Sequence, residues 1–270
     1  MRDEAVSDPT ATDPTATTSS AHHSAPLAVT TVVELSARSV LVVLLIAIAF
    51  LASAHAVRFR LMQSWPTPDL FQGEALRIFS IGGESALVTW VTIIMMLAVA
   101  LVAVLIGLGE RAAGARAWRQ WIGVALVFLL ASLDEQVQLH EMFVEPVRAL
   151  FSITTGPFLL AWVIPAIVLA AILAVLFLPF VTRLPARTRL WLIAAIGLWL
   201  AGAIGMEMVD SATFEWRQAM PEDQSRWISA VMYTTEESME MLGIAVLLHT
   251  LLVHARDHNP GALGANLRVV

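Results

Sequence analysis

Cysteine and lysine are both absent from this 270-residue sequence. Without cysteine the chain has no disulfide, no thiolate metal ligand and no thiol nucleophile. Without lysine it has no side-chain amine for Schiff-base chemistry. All 16 basic residues are therefore arginine, against 22 acidic residues. The formal net charge of -6 is modest, and no basic segment indicates binding to nucleic acid.

Charged residues are also scarce, at 14% of the chain, whereas hydrophobic residues make up 58% and the mean hydropathy is +0.75. This balance is far from that of a soluble domain. Six continuous apolar runs are long enough to cross a hydrocarbon core as helices, which takes about 20 residues each. Their continuity is unlike the alternating pattern of barrel strands. The sequence therefore predicts an all-α, polytopic membrane protein with a six-transmembrane-helix bundle.

The predicted organisation has three parts. Residues 1–34 are rich in Thr, Ala, Ser, Pro and Asp and cannot bury a core, so we expect a disordered N-terminal tail. The transmembrane domain covers 35–256, and a short C-terminal tail covers 257–270. The predicted helices span about 39–57, 85–108, 121–141, 157–182, 190–210 and 228–254.

Arginines in the connections predict the orientation. The connections 109–120 and 182–189 each carry three arginines, and the positive-inside rule assigns such connections to the cytoplasm. Both termini would then be cytoplasmic, in a plasma (inner) membrane. Three arginines between the first and second helices count against this orientation.

Acidic residues lie within three predicted helices, where a charge at mid-depth costs about 2.5 to 3.5 kcal/mol or more. The third helix carries acids toward its end, the fifth at its end and the sixth in its first half. Because successive helices alternate in direction, all three groups fall in one half of the bilayer, the outer half if the termini are cytoplasmic. His55 and Glu84 fall on the same side. The groups comprise Asp134, Glu135, His140 and Glu141; Glu207 and Asp210; and Glu236, Glu237 and Glu240.

Helical spacing aligns many of these groups. Asp134, Gln138 and Glu141 stand at i, i+4 and i+7 on the predicted third helix, and Glu207 and Asp210 stand at i and i+3 on the fifth. On the sixth helix the acids recur at three- and four-residue steps together with the only tyrosine of the chain. Three adjacent helices could then present facing carboxylates, as carboxylate-bridged metal sites in helical bundles do.

The first functional hypothesis is a metal-dependent membrane hydrolase or oxidoreductase. Oxygen-rich ligation favours a divalent metal, with Fe, Mn, Mg and Zn as candidates. A metal would also explain several acids in the helices without a basic partner. A metal-bound water would attack a lipid-phase or small-molecule substrate, with Glu135 or Glu237 as the catalytic base. The candidate metal ligands are Asp134, His140, Glu141, Glu207, Asp210, Glu236 and Glu240.

Two other functions suit the same acids. One is a cation- or proton-coupled transporter or channel, because intramembrane carboxylates are common in ion and proton pathways. Against it, the acids stop in one half of the bilayer and no inverted repeat is evident. The other is a non-catalytic assembly subunit whose acids face partner chains. A purely structural role is also open: solvated helix ends for Glu141 and Asp210, and protonated carboxyls bonded to neighbouring helices for the deeper acids.

Small residues follow one face of the fifth predicted helix. Gly197, Ala201 and Gly205 recur every four residues, a pattern that permits close contact between helices in a membrane. We therefore expect this helix to be packed closely at the centre of the bundle.

Overall fold

The computed structural model describes residues 33–64, 76–80, 87–258 and 267–269. The predicted all-α polytopic fold is confirmed, because six helices are long and apolar enough to cross a membrane. The protein is accordingly an integral membrane protein. Residues 1–32 of the predicted tail, and Glu84, lie outside the described residues.

The elements follow one another in the order of the predicted spans, with one additional short helix. They are β1 (Val33–Leu35), α1 (Ala37–Ser64), α2 (Leu87–Ala112), α3 (Trp118–Val137), α4 (Val144–Phe151), α5 (Val163–Val181), α6 (Ala186–Gln218), α7 (Glu222–His258) and β2 (Leu267–Val269). Helix α6 contains a π-helical segment at Ala201–Met206, and a 3-10 turn at Leu139–Phe143 precedes α4.

Helix α7 is at the centre of the bundle and packs against α1, α2 and α6. Its second half buries Met241, Ile244 and Leu251 completely, facing a buried row on α2 that includes Met95 and Val99. Helix α5 instead leaves most of its apolar side chains exposed, as expected for a helix in contact with lipid. The small-residue pattern predicts that the fifth span is central, but the sixth span, α7, occupies the central position.

The first and last described segments meet at the same end of the bundle. Strand β1 pairs in parallel with β2, and His249 Nδ1 lies 3.0 Å from the backbone oxygen of Ala37 at the start of α1. The arginine-rich connections 109–120 and 182–189 lie at this end too, because an even number of spans returns the chain to it. We call it the arginine end, and the opposite end, which carries Glu236 and Glu240, the acidic end.

Two helices are much longer than predicted at the acidic end. Helix α6 runs for 33 residues and α7 for 37, or about 50 and 55 Å at 1.5 Å per residue. The hydrocarbon core is only about 30 Å thick, so both helices extend beyond it. The connection 211–226, which lies between the fifth and sixth predicted helices, is itself helical except for the short turn between α6 and α7.

Close contact between α6 and α7 uses different glycines from those predicted. A Cβ built on Gly197 or Gly205 would meet nothing within 4 Å. A Cβ on Gly243 would lie 2.6 Å from the backbone nitrogen of Trp199, and one on Gly202 would lie 2.7 Å from Cγ of Glu240. Because real Cβ contacts are never this short, Gly202 and Gly243 set the distance between the two helices.

We predict that Gly243→Ala destabilises the protein by about 1 to 3 kcal/mol, because the added methyl group overlaps backbone atoms that cannot rotate away. Gly197→Ala is the matched control, since it adds the same methyl group to open space and alanine favours the helix. Thermal unfolding in detergent measures both. Equal melting temperatures for the two variants would contradict the assigned contact.

Candidate functional site

Five glutamates from three helices interact with one another at the acidic end. The carboxyl group of Glu240 interacts electrostatically with those of Glu237, Glu135, Glu236 and Glu207. All five side chains are partly buried. We call these residues, which come from α3, α6 and α7, the glutamate layer.

Helix packing positions the α7 members of this layer against α6. The absent side chain of Gly202 lets α6 approach the stem of Glu240, and a Cβ there would also lie 3.0 Å from the backbone oxygen of Glu236. Gly202 belongs to the π-helical segment Ala201–Met206, which ends directly before Glu207. A π-helical turn changes the angular position of every residue that follows, and such turns are frequent at functional sites. The direction of Glu207 therefore depends on this segment.

Asp134 and His140 form a pair at the end of α3. Both carboxylate oxygens of Asp134 are used: Oδ1 accepts from the backbone N–H of His140 at 2.9 Å, and Oδ2 lies 2.8 Å from its Nδ1. The imidazole ring also packs against Trp162, with 4.5 Å between ring centroids. Asp134 thereby fixes the turn that follows α3 and the orientation of His140.

This turn changes the predicted alignment of the third helix. The prediction continues the helix to residue 141, but α3 ends at Val137, and Gln138 adopts a left-handed backbone conformation with φ 52°. The N–H of Gln138 donates to the backbone oxygen of Asp134 at 2.7 Å. Asp134, Gln138 and Glu141 consequently do not share one helical face. Glu141 is exposed in the 3-10 turn, within electrostatic range of Glu207.

Asp210 has a basic partner that the sequence reasoning did not assign. Nη2 of Arg217 lies 2.6 Å from Oδ1 of Asp210 and donates to its backbone oxygen at 3.0 Å, and both residues are buried. Nη1 of Arg217 donates to Oγ of Ser229 on α7 at 2.5 Å. At least one of the acids therefore has a basic partner. The buried ion pair competes with the expected role of Asp210 as a metal ligand.

Two further residues near the site were missed because the connection that contains them was read as a loop. Ser211, which is buried, accepts a hydrogen bond from the backbone N–H of Leu160 at 3.1 Å and so ties α6 to the segment before α5. Arg217 stands seven residues after Asp210, two helical turns on the same face. If residues 211–218 are taken as helix, the seven-residue spacing alone predicts that Asp210 and Arg217 lie on one face.

The remaining candidates are His55 and the members of the glutamate layer. His55 lies in the part of α1 near the acidic end of the bundle, where it is buried, with Nδ1 3.4 Å from the backbone oxygen of Phe79. In the described part of the chain, no member of the glutamate layer forms an ion pair. Across the same residues, no group of three or more His, Asp or Glu side chains is placed so that it could hold a metal ion.

A family model matches residues 36–255, which cover α1 to α7 almost entirely. The chain belongs to the DUF8692 family. The description of DUF8692 is a domain of unknown function, so membership assigns the whole bundle to one family and gives it no activity. No curated protein and no solved structure matches this DUF8692 chain.

We predict that breaking the Asp210–Arg217 pair destabilises this DUF8692 protein strongly. Arg217→Met leaves a buried carboxylate without its partner, a change that costs about 3 to 5 kcal/mol. The double variant Asp210→Leu/Arg217→Met removes both charges and should be more stable than Arg217→Met alone. Thermal unfolding of the two single variants and the double variant gives the coupling energy.

The control for this cycle is the exposed pair of Arg226 with Glu222 on α7, 3.7 Å apart. Arg226→Met should cost no more than about 1 kcal/mol, because solvent screens exposed pairs. If Arg217→Met is as mild as Arg226→Met, the buried pair does not stabilise the fold.

Proposed function

We propose that the glutamate layer exchanges protons and that this protein is a membrane transporter or channel that conducts protons. The observation that supports the proposal is the mutual interaction of five partly buried glutamates, none of them ion-paired in the described part of the chain. Intramembrane carboxylates of this kind are typical of proton pathways.

Electrostatic repulsion between ionised carboxylates is the physical reason why the glutamate layer would bind protons. Two unit charges about 6 Å apart repel by about 3 kcal/mol at an effective dielectric constant of about 20. Glu240 interacts with four other carboxyl groups, so full ionisation of the layer would add several such terms. Protons remove this repulsion and let neighbouring carboxyls hydrogen-bond to one another. The number of bound protons then depends on the conformation of the three helices.

A chain of interacting acids connects the layer to the surface. Glu141 is exposed and interacts with Glu207, Glu207 interacts with Glu236, and both Glu207 and Glu236 interact with Glu240. These residues lie on the turn after α3, on α6 and on α7. Proton transfer along such carboxyls needs hydrogen-bond contact or one intervening water at each step. We propose that protons enter from the acidic end by this route.

The distribution of arginines supports one orientation in the membrane. We propose that the arginine end is cytoplasmic, in agreement with the positive-inside rule, and that the acidic end faces the outside of a plasma (inner) membrane. The proton route then opens to the outer face, and both chain termini are cytoplasmic.

The second candidate function is the metal-dependent hydrolase or oxidoreductase. The geometry of His140 favours it, because Asp134 holds Nδ1 and leaves Nε2 as the nitrogen that could bind a metal. A divalent metal, Fe, Mn, Mg or Zn, would take its other ligands from the remaining candidate acids, and Glu135 or Glu237 would serve as base toward a metal-bound water. The side chains would have to rearrange to bind it. A proton requires no such rearrangement, and for this reason we favour proton exchange.

Glu240→Gln tests the proton site. We expect this variant to take up fewer protons than the wild type when the pH of the purified protein is lowered, and to lose part of the infrared carbonyl band of protonated carboxyl groups. The reason is that the amide cannot bind the proton. Glu215→Gln, on the exposed surface of α6, is the control and should lose no infrared signal from the layer.

The same pair of variants tests coupling to transport. In proteoliposomes with a pH-sensitive dye inside, wild-type protein and Glu215→Gln should show proton flux under an imposed pH gradient, and Glu240→Gln should show none. Equal proton uptake and equal flux in both variants would overturn the proposed function.

Metal analysis separates the two candidate functions. Under the proton proposal, detergent-purified protein carries no stoichiometric divalent metal by plasma mass spectrometry, and added Mn²⁺ or Zn²⁺ does not raise its melting temperature. A stoichiometric metal that is lost in both Glu240→Gln and His140→Ala would instead favour the metal-dependent candidate, because the proton proposal needs neither side chain as a metal ligand.

A further inference from the structure

A second polar site lies at the arginine end, on the far side of the bundle from the glutamate layer. The ends of α2, α3, α5 and α7 surround a cavity of about 270 Å³. Its polar lining comprises Arg116, Arg183, His254, His258, Gln120 and Glu110, and Trp121 and Phe180 contribute apolar surface. We propose that this cavity binds a phosphate-bearing anion.

The two arginines of the cavity differ from most of their neighbours in having no protein partner. Within the described residues, neither the Arg116 nor the Arg183 side chain forms an ion pair or a hydrogen bond. Both guanidinium groups are exposed at the cavity. Guanidinium groups present several N–H donors in a planar fork that matches the oxygens of a phosphate group.

Four other arginines at the same end are already engaged. Arg111 and Arg119 lie over the ring of Trp118, at 5.3 and 5.5 Å from its centroid. Arg189 donates to the backbone oxygen of Thr182 at 3.1 Å, and Arg256 lies 2.7 Å from a carboxylate oxygen of Asp257. A general excess of arginine at this end explains those four positions. It does not explain why two unpaired guanidinium groups border the same cavity.

His254 and His258 form one side of the cavity, and contacts with neighbouring side chains fix their positions. His254 is 5% exposed, with Nδ1 3.3 Å from Oγ1 of Thr188 and its ring 5.1 Å from that of Trp121. His258 stacks on His254 with 4.8 Å between centroids. In the described part of the chain, Nε2 of His254 has no hydrogen-bond partner, although the residue is buried and lines the cavity. It is therefore available to a ligand inside the cavity.

The size and charge of the cavity define the class of ligand. Its volume is slightly below the roughly 300 Å³ at which small-molecule pockets usually begin, so it suits a phosphate group and its nearest substituents better than a whole nucleotide. Glu110 reduces the positive charge, which leaves two arginines against one carboxylate before either histidine is protonated. A monophosphate fits this balance. The source is either free phosphate or the headgroup of an anionic lipid, since basic pockets between transmembrane helices bind such headgroups.

The matched variants for the test are two double substitutions at the same end. Arg116→Gln/Arg183→Gln removes the two unpaired guanidinium groups, and Arg111→Gln/Arg119→Gln removes the same charge from residues that stack on Trp118. All four arginines are exposed, so neither change should disturb the core. His258→Ala is a second probe of the cavity that leaves every arginine in place.

Two measurements separate the sources of the phosphate group. Calorimetry of the full chain with inorganic phosphate reports binding of the free anion. Native mass spectrometry of protein from vesicles of phosphatidylcholine and phosphatidylglycerol reports the lipid. In one of the two assays, we expect binding to weaken about tenfold or more in Arg116→Gln/Arg183→Gln, and to weaken in His258→Ala, because charge-assisted hydrogen bonds are lost.

The two controls decide the inference. Arg111→Gln/Arg119→Gln should bind as the wild type does, and both double variants should melt at the wild-type temperature. If neither inorganic phosphate nor phosphatidylglycerol binds the wild type, the inference is wrong. It is also wrong if the two double variants weaken binding equally, because general attraction to the arginine end would then account for the effect.

Discussion

Hydrocarbon cannot solvate a charge or an unpaired backbone group, and the rest of the structure follows from that constraint. Every span is a helix, in which hydrogen bonds within the segment satisfy the backbone inside the bilayer. Charged side chains are consequently divided between the two ends of the bundle. Helix α7 shows the division most clearly: it carries glutamates in its first half, the fully buried Met241, Ile244 and Leu251 in its second, and His254 near its last turn.

The contact between α6 and α7 gives the acidic end its geometry. Two glycines, one on each helix, allow the backbones to approach so closely that Gly202 faces the stem of Glu240. Within α6, the π-helical segment lies between this contact and Glu207. The distance between the α6 and α7 carboxyl groups is therefore set by backbone packing. Such packing has few alternative arrangements, because an added methyl group at either glycine would overlap the partner helix.

The six membrane spans could be predicted from the sequence, but the residues at which the helices end could not. Apolar length is a property of each segment alone, so all six spans and the side of the acidic groups could be predicted. The end of α3 could not, because Asp134 accepts hydrogen bonds from a residue beyond the helix. The Asp210–Arg217 pair was missed for a related reason, since a polar, amphipathic continuation of α6 has the composition of a loop.

The glycine pattern failed for a different physical reason. Small residues permit close approach wherever they occur, but only the partner helix determines which of them is used. Gly197, Ala201 and Gly205 form a regular stripe, yet Gly202, outside it, makes the contact. The π-helical segment Ala201–Met206 contains two of these three residues, so the four-residue repeat of an α-helix no longer describes which side chains share a face.

The apolar half of α7 limits how the acidic end could communicate with the arginine end. Beyond Glu240, the polar side chains before His254 are His249 and Thr250, and each already contacts a backbone oxygen, of Ala37 and Val246 respectively. Neither is a free relay for a proton in this arrangement. A proton that crossed the bundle would need water admitted by a change in helix packing, since about 14 Å of apolar helix separates Glu240 from His249. The α6–α7 contact at Gly202 and Gly243 borders both the glutamate layer and this apolar stretch, so a change in the packing of these two helices would alter both at once.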